Sequence, residues 1–328
     1  MKISLDRLQQ FATGCFGSTS ESQAWHALRL PAPLADYYRL AEGSRIRLEC
    51  PSSVRLRFVT NATQVSLGMI FGAAARPLFE GVVLVDGKES SAFGPQETQD
   101  DWHGVIFEQT EPTLRTLDIW LPHLCRTDIT GLAINDGATI EAAPALPLRW
   151  LAYGDSITQG MTGTLPTRTH IGRLALALEA EVFNLGIGGA KLDEVLGQNV
   201  PAGDFDLISI AYGTNDFNQN IAVETYIANA RLLLTALRNK TTAPIVLLTT
   251  LTWASRTQPN TAGLFLNDYR KALTALASGF DGIHVVDGSS LIPDGEEYFV
   301  DSVHPNDAGF ELYANHLLPH IQQVLKVG

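Results

Sequence analysis

Positive charge is scarce in this chain. Its 328 residues carry 23 Lys and Arg against 35 Asp and Glu, a formal net charge of −12. Phosphate backbones and anionic membrane surfaces reward clustered Lys and Arg. No such cluster occurs, which argues against both kinds of partner. Cysteine is equally sparse: Cys15, Cys50 and Cys125 form an odd set without metal-ligand spacing. That excludes a disulfide framework and predicts reduced thiols in a cytoplasmic protein. No apolar run approaches the roughly 20 residues of a membrane helix. The opening Met1-Lys2-Ile3-Ser4-Leu5-Asp6-Arg7 has early charges and no apolar core, so no signal peptide is expected.

What remains is the composition of a folded protein with more than one core. At 328 residues with 45% hydrophobic content, two domains are expected. From 148 to 328, short apolar runs at 148–153, 181–185, 207–212, 245–251 and 283–287 are bounded by turn residues, as buried parallel strands are. Helical patterns lie between them: Ile171 to Ala180, Leu192 to Gln198, Val223 to Asn239, Leu264 to Ser278 and Ala308 to Val327. Strand alternating with helix predicts an α/β domain with helices on both faces of a parallel sheet.

Upstream, residues 1–141 read as an all-β sandwich domain. Val54, Leu56 and Phe58 alternate with charged residues, and further runs lie at 44–49, 64–71, 81–85, 104–108, 115–121 and 131–135. Asp86-Gly87 and Asp136-Gly137 follow apolar runs and predict hairpins. No long helical period is evident there. Met1 to Phe16 could form a short helix, with Phe11, Phe16 and Trp25 packing onto the sandwich. The connection is 142–147, Ala-Ala-Pro-Ala-Leu-Pro, whose prolines favour an extended chain.

The chemistry concentrates downstream. Gly154-Asp155-Ser156-Ile157-Thr158 follows the first strand of the α/β domain and places a serine where the strand must turn. Such a hydroxyl needs a base, and an imidazole can serve at neutral pH. His304, in Asp301-Ser302-Val303-His304-Pro305, is the candidate. Asp301, three residues earlier, could accept the Nδ1 proton and fix the tautomer. Charge developing on an attacked carbonyl oxygen would need donors already aimed at it. The backbone N–H of Ser156, that of Gly189 in Asn184-Leu185-Gly186-Ile187-Gly188-Gly189, and the amide of Asn215 in Gly213-Thr214-Asn215-Asp216 could supply them. In a parallel sheet ligands sit at the carboxyl ends of strands, and Ser156, Gly189, Asn215 and Trp253 each fall just beyond one.

These four blocks, in this order, resemble those of the SGNH (GDSL) hydrolase superfamily, whose name spells Ser156, Gly189, Asn215 and His304 here. Gly188 is the rival for the glycine role, but the family's donor is the last glycine of the block. The resemblance implies a flavodoxin-like strand order, 2-1-3-4-5, and a serine esterase or acylhydrolase working through an acyl-enzyme, with no cofactor. Together with the preceding sandwich it is similar to a two-domain branch in which a jelly-roll-like module precedes the hydrolase, including carbohydrate esterases and acyl-transferring relatives. The implied substrate is a small or carbohydrate-borne ester. An acyltransferase, or a carbohydrate-binding protein with an idle hydrolase domain, are the alternatives.

Other readings fare less well. The α/β-hydrolase elbow Gly-x-Ser-x-Gly is absent, since Thr158 holds the final position. Gly186-Ile187-Gly188-Gly189 hints at a dinucleotide site, but Lys191 stands where the third glycine belongs. The remaining histidines lack partners at ligand spacing, so no metal is expected. Trp253 either lines the substrate pocket or sits in the core. Trp102 and His103 are expected to form a wall of the cleft from the sandwich side, and Asp155 and Asp216 to hydrogen-bond the loops that hold Ser156 and Asn215.

Overall fold

The computed structural model describes residues 1–21 and 23–327. Among the described residues, twelve strands lie before residue 143: β1 (Lys2–Ile3), β2 (Ala12–Thr13), β3 (Ser18–Glu21), β4 (Ala24–Ala27), β5 (Arg55–Thr60), β6 (Gln64–Ala74), β7 (Gly81–Val85), β8 (Lys88–Phe93), β9 (Asp101–Glu108), β10 (Arg115–Trp120), β11 (Cys125–Ile134) and β12 (Ile140–Ala142). They form two six-stranded antiparallel sheets, one in the order β3-β4-β11-β6-β9 with β1 beside β11, the other β12-β5-β10-β7-β8 with β2 beside β5. Their facing sides share a core of Trp25, Leu56, Phe58, Leu67, Ile119 and Ile129, among others. Asp86 and Gly87, with φ of +51° and +80°, close the β7–β8 hairpin. Both central residues of that turn need positive φ, which Asp-Gly tolerates.

Three expectations for this region are corrected. Asp136-Gly137 does not close a hairpin: β11 and β12 lie in different sheets, so the turn carries the chain from one sheet to the other. Residues 44–49 are helical, not extended. Two short helices, α1 (Ala32–Arg39) and α2 (Glu42–Glu49), interrupt the strands. Ser44-Arg45-Ile46-Arg47-Leu48 alternates like a strand, but Arg, Leu and Glu favour helix. The pair also finds an apolar seat, because Leu34, Tyr38 and Leu48 join the core of the parallel-sheet domain. Phe16 likewise leaves the sandwich and packs on Phe183 at 5.1 Å between ring centres. Within Met1 to Phe16 only Leu5–Gln10 is helical, as a 3-10 segment.

After the linker come β13 (Leu148–Gly154), α3 (Ser156–Gln159), α4 (His170–Ala177), β14 (Ala180–Asn184), α5 (Glu194–Gln198), β15 (Leu207–Ala211), α6 (Thr214–Asn218), α7 (Val223–Arg238), β16 (Ile245–Leu248), α8 (Leu266–Ala277), β17 (Ile283–Val286) and α9 (Asp307–Val327). The five strands are parallel in the order β14-β13-β15-β16-β17, which is 2-1-3-4-5 in chain order. The three central strands are buried on both faces, hence their unbroken apolar runs. Helix α7 shows why the flanking elements dock: its buried Tyr226, Ala230, Leu233, Leu234 and Leu237 recur at helical spacing.

The two domains share a core. On β7 and β10, Val83, Leu117 and Ile119 face the other sandwich sheet, whereas Val82, Leu84 and Trp120 face the α/β domain. Arg55, on the outward face of β5, is fully buried there. It ion-pairs with Asp118 at 3.0 Å, stacks 4.5 Å from the Trp120 ring and donates to the Ala180 carbonyl. Among the described residues no helix is long and apolar enough to cross a membrane.

Candidate active site

Strand β13 delivers its last residues to the rim of the sheet, where Asp155 caps α3 by accepting the Ile157 N–H at 2.9 Å. Ser156 is then the first helical residue, so its own N–H has no intrahelical acceptor. Its Oγ lies 2.8 Å from His304 Nε2. The imidazole Nδ1 in turn lies 2.8 Å from Asp301 Oδ2. The loop that presents this pair is tightly tied: Asp301 Oδ1 accepts the backbone N–H groups of His304 at 2.8 Å and Val303 at 3.2 Å. Partial burial opposes ionisation of Asp301, but those N–H groups and the imidazole outweigh it and hold the carboxyl below its ordinary value. Thr162 Oγ1 donates to the Pro305 carbonyl at 2.6 Å and pins the same loop to the segment after α3.

The second and third blocks meet beside the serine. Gly188 and Gly189 follow β14, and their amides have different fates. That of Gly188 donates to Gln159 Oε1 at 2.8 Å, while no acceptor among the described residues takes that of Gly189. Gly189 also has φ of +82° and lies exposed, a conformation that L side chains rarely adopt. Its amide is therefore the one available to a ligand. Asn215 comes from α6, after β15, and donates one Nδ2 hydrogen to the Ala190 carbonyl at 2.9 Å. A carboxamide has two such hydrogens, so one remains for the site. Asp216 Oδ2 accepts the Leu192 N–H at 3.3 Å, which ties the loop that carries Gly189 to α6.

Burial shapes the titration of the two supporting acids. It pushes Asp155 up to about 6, against the Ile157 N–H and the charge of His304. It pushes Asp216 up to about 7, against the Leu192 N–H.

Of the expected pocket residues, Trp253 follows β16 and packs edge-on against Phe217 at 5.7 Å. It also lines a cavity of about 290 Å³ with Thr252, Arg256, Phe265 and Arg270. The next residue, Ala254, donates to the Ser302 carbonyl at 2.8 Å, so this segment borders the histidine loop. Trp102 and His103 are not brought to the site by any contact among the described residues. Trp102 packs on Phe93 in the sandwich core, and His103 faces a groove with Ser66, Thr130 and Leu132. The sandwich domain approaches Ser156 instead through α1 and α2. Gln159 links the two, donating to the Arg47 carbonyl at 2.8 Å while it holds Gly188.

Sequence reasoning missed Gln159, Arg47, Asn184 and Arg29. Asn184 accepts the Gly186 N–H at 2.8 Å and donates to the Thr158 carbonyl at 2.8 Å. Arg29, fully buried, donates to the carbonyls of Cys50, Arg47, Asn184 and Gly186. Desolvation lowers its pKa to about 10. Only Gln159, three residues past the serine, carried a local hint. Among the described residues no group of His, Cys, Asp and Glu could hold a metal ion.

The arrangement can remove a proton from a hydroxyl and present donors to a neighbouring oxyanion. Comparison with known proteins agrees with that class. Residues 152–312 match the GDSL-like lipase/acylhydrolase family, so the chain carries a GDSL/SGNH hydrolase domain behind its sandwich. No curated protein matches the sequence. Among solved structures, the fold is similar to the salicylyl-acyltransferase SsfX3 from a tetracycline biosynthetic pathway, with TM-score 0.84, 23% identity and 95% and 94% of the two chains covered. It is also similar to a GDSL-like lipase from Bacteroides ovatus, with TM-score 0.79, 16% identity and 99% and 98% covered. A family two carbohydrate esterase from Clostridium thermocellum, solved with cellohexaose, gives TM-score 0.63, 18% identity and 83% and 92% covered.

Proposed function

We propose that this protein is a serine esterase that cleaves a carboxylic ester through an acyl-enzyme on Ser156. The observation that carries the reading is the relay of two 2.8 Å contacts, from Ser156 Oγ to His304 Nε2 and from Nδ1 to Asp301. With the Nδ1 proton held by Asp301, Nε2 is the basic nitrogen and takes the serine proton as Oγ attacks the ester carbonyl. The N–H of Ser156, the N–H of Gly189 and the free Nδ2 hydrogen of Asn215 stabilise the tetrahedral oxyanion. His304 then returns the proton to the departing alcohol. Water, deprotonated by the same imidazole, releases the acid. No step calls for a cofactor.

The substrate class is a small or carbohydrate-borne ester. Support comes from the two-domain arrangement shared with the cellohexaose-bound esterase and from a cavity of about 400 Å³ beside Gly189. Tyr37 and Tyr38 line that cavity, and aromatic rings suit a sugar face. The test is covalent labelling: a fluorophosphonate adds one mass increment at Ser156, and Ser156→Ala abolishes both labelling and p-nitrophenyl acetate turnover. Labelling that persists in the alanine variant refutes the assignment. Adding acceptor alcohols to the same assay separates hydrolysis from acyl transfer by the products formed.

A further inference from the structure

The candidate oxyanion loop is anchored from outside by a single side chain. The N–H groups of Leu185, Ile187 and Ala190 donate to the carbonyls of Ala152, Gly154 and Ile187 at 2.8, 3.2 and 3.0 Å, and that of Gly186 to Asn184 Oδ1 at 2.8 Å. The Gly188 N–H goes to Gln159 Oε1, from another segment, at 2.8 Å. Among the described residues, Gly189 is then the one amide from 185 to 190 without an acceptor. A carboxamide held between an N–H and a carbonyl can sit only one way. Gln159 Oε1 faces the Gly188 N–H, so Nε2 faces the Arg47 carbonyl, at 2.8 Å. That carbonyl is available for a reason in the sequence. Four residues on, where a helix would supply the next N–H, stands Pro51, which has none. Its remaining donors are the Cys50 N–H, at a long 3.4 Å, and Arg29 Nη2 at 3.0 Å. Arg29 Nη1 also donates to the Asn184 and Gly186 carbonyls, at 2.6 and 2.9 Å.

Gln159 is buried and ends α3, three residues past Ser156. One short helix therefore carries both the Ser156 amide and the anchor of the glycine loop. Close packing holds that loop from its other sides. A Cβ on Gly188 would come within 2.5 Å of Arg47 Nε and Met161 Cε, and one on Gly186 within 2.5 Å of the Gln159 backbone nitrogen. Without the anchor, two successive glycines would let the peptide that carries the Gly189 N–H turn away from the serine. A donor misplaced by about 1 Å loses much of its hold on a developing oxyanion.

We propose that Gln159 is a positioning residue for the reaction. By taking the Gly188 amide it leaves that of Gly189 aimed at the oxyanion, and through the Arg47 carbonyl it makes α2 of the sandwich domain a support of the active site. The kinetic consequence rests on the esterase reading, whereas the hold of Gln159 on the loop does not. In the full chain, Gln159→Leu removes both bonds at similar size. Its kcat on p-nitrophenyl acetate should fall between about 10-fold and 10³-fold with KM little changed, the upper bound being the loss of one oxyanion donor. The rate ratio of p-nitrophenyl acetate to its thionoester should fall as well, because sulfur accepts hydrogen bonds more weakly than oxygen and the ratio therefore reports the donors. Gln159→Glu keeps an oxygen for the Gly188 N–H and should lie closer to the parent than to Gln159→Leu on both measures. Unchanged kcat, or a loss of kcat that leaves the thionoester ratio intact, overturns the proposal.

Should Gln159→Leu fail to fold, the parent protein decides. With glycine-selective nitrogen labelling, the Gly188 amide should exchange slowly with deuterium and the Gly189 amide quickly. A fluorophosphonate adduct on Ser156 should then shift the Gly189 amide resonance much more than that of Gly188. Equal exchange of the two amides, or a Gly188 shift as large as that of Gly189, overturns the proposal. Absence of Ser156-dependent turnover and labelling would instead defeat the esterase reading, and the exchange contrast between the two amides would still decide whether Gln159 holds the loop.

Discussion

Replacing Asp301 by Asn tests the relay more sharply than deleting it, because the loop dictates how the amide must sit. Asp301 Oδ1 accepts two backbone N–H groups, from His304 at 2.8 Å and Val303 at 3.2 Å, and Oδ2 faces His304 Nδ1 at 2.8 Å. An asparagine keeps those backbone bonds only by placing its oxygen at the Oδ1 position. Its NH2 then occupies the Oδ2 position and donates to Nδ1. The imidazole then favours the tautomer with its proton on Nε2, where it can no longer accept the Ser156 hydrogen, although the oxygen at the Oδ1 position also lies 3.0 Å from Nδ1 and can hold a fraction in the other tautomer. A wrong tautomer of this kind costs about 10⁴ in kcat, about 5 kcal/mol. Asp301 is 48% exposed, so water can share the reorientation and the expected loss is between about 10² and 10⁴. Asp301→Ala imposes no tautomer and should retain more activity than Asp301→Asn, an inversion that simple loss of a contact does not produce. The assay is kcat on p-nitrophenyl acetate at pH 8 for both variants, with the His304 tautomer read by nitrogen NMR. An Asp301→Asn enzyme within threefold of the parent, or one whose imidazole still carries its proton on Nδ1, would refute the reasoning.

Asn215→Ala removes one of the donors proposed for the oxyanion, and should lower kcat by about 10² to 10³ with KM little changed; full kcat would remove Asn215 from that role. Asp216 offers a pH test of stability. Its folded-state pKa of about 7 lies above the ordinary 3.8, so the native protein binds the proton more tightly than the unfolded chain. Its contribution to stability therefore falls as pH rises from about 4 to about 7 and does not recover above. Asp216→Asn mimics the protonated form and should raise Tm at pH 8 while leaving it nearly unchanged near pH 4; a pH-independent shift would contradict the burial argument.

Much of the architecture was legible before any coordinates, for a local reason. A parallel strand buried on both faces must be an unbroken apolar run, and Leu148–Gly154, Leu207–Ala211 and Ile245–Leu248 announced themselves that way. The turns after the parallel strands need small and polar residues, so the blocks around Ser156, Gly189 and Asn215, after β13, β14 and β15, stood out against the background. Their order in the chain was enough to suggest that Ser156 and His304, 148 residues apart, would meet.

The rest depended on which surfaces the domains chose to cover. Arg55 alternates with the apolar residues of its strand, as an outward position does, and only docking of the α/β domain buries it together with Trp120. Ser44 to Leu48 alternates like a strand, and only the apolar seat offered by the parallel-sheet domain draws it into a helix. That docking sets Arg47 against Gly188 and leaves Trp102 half-buried against the sandwich core. The sequence by itself thus determined the alternating elements of the α/β domain and the reactive blocks, because period and turn chemistry act over a few residues. Tertiary structure decided which parts of the sandwich domain reach the site, because that choice rests on burial between segments more than 100 residues apart, as in the bond from Gln159 to the Arg47 carbonyl.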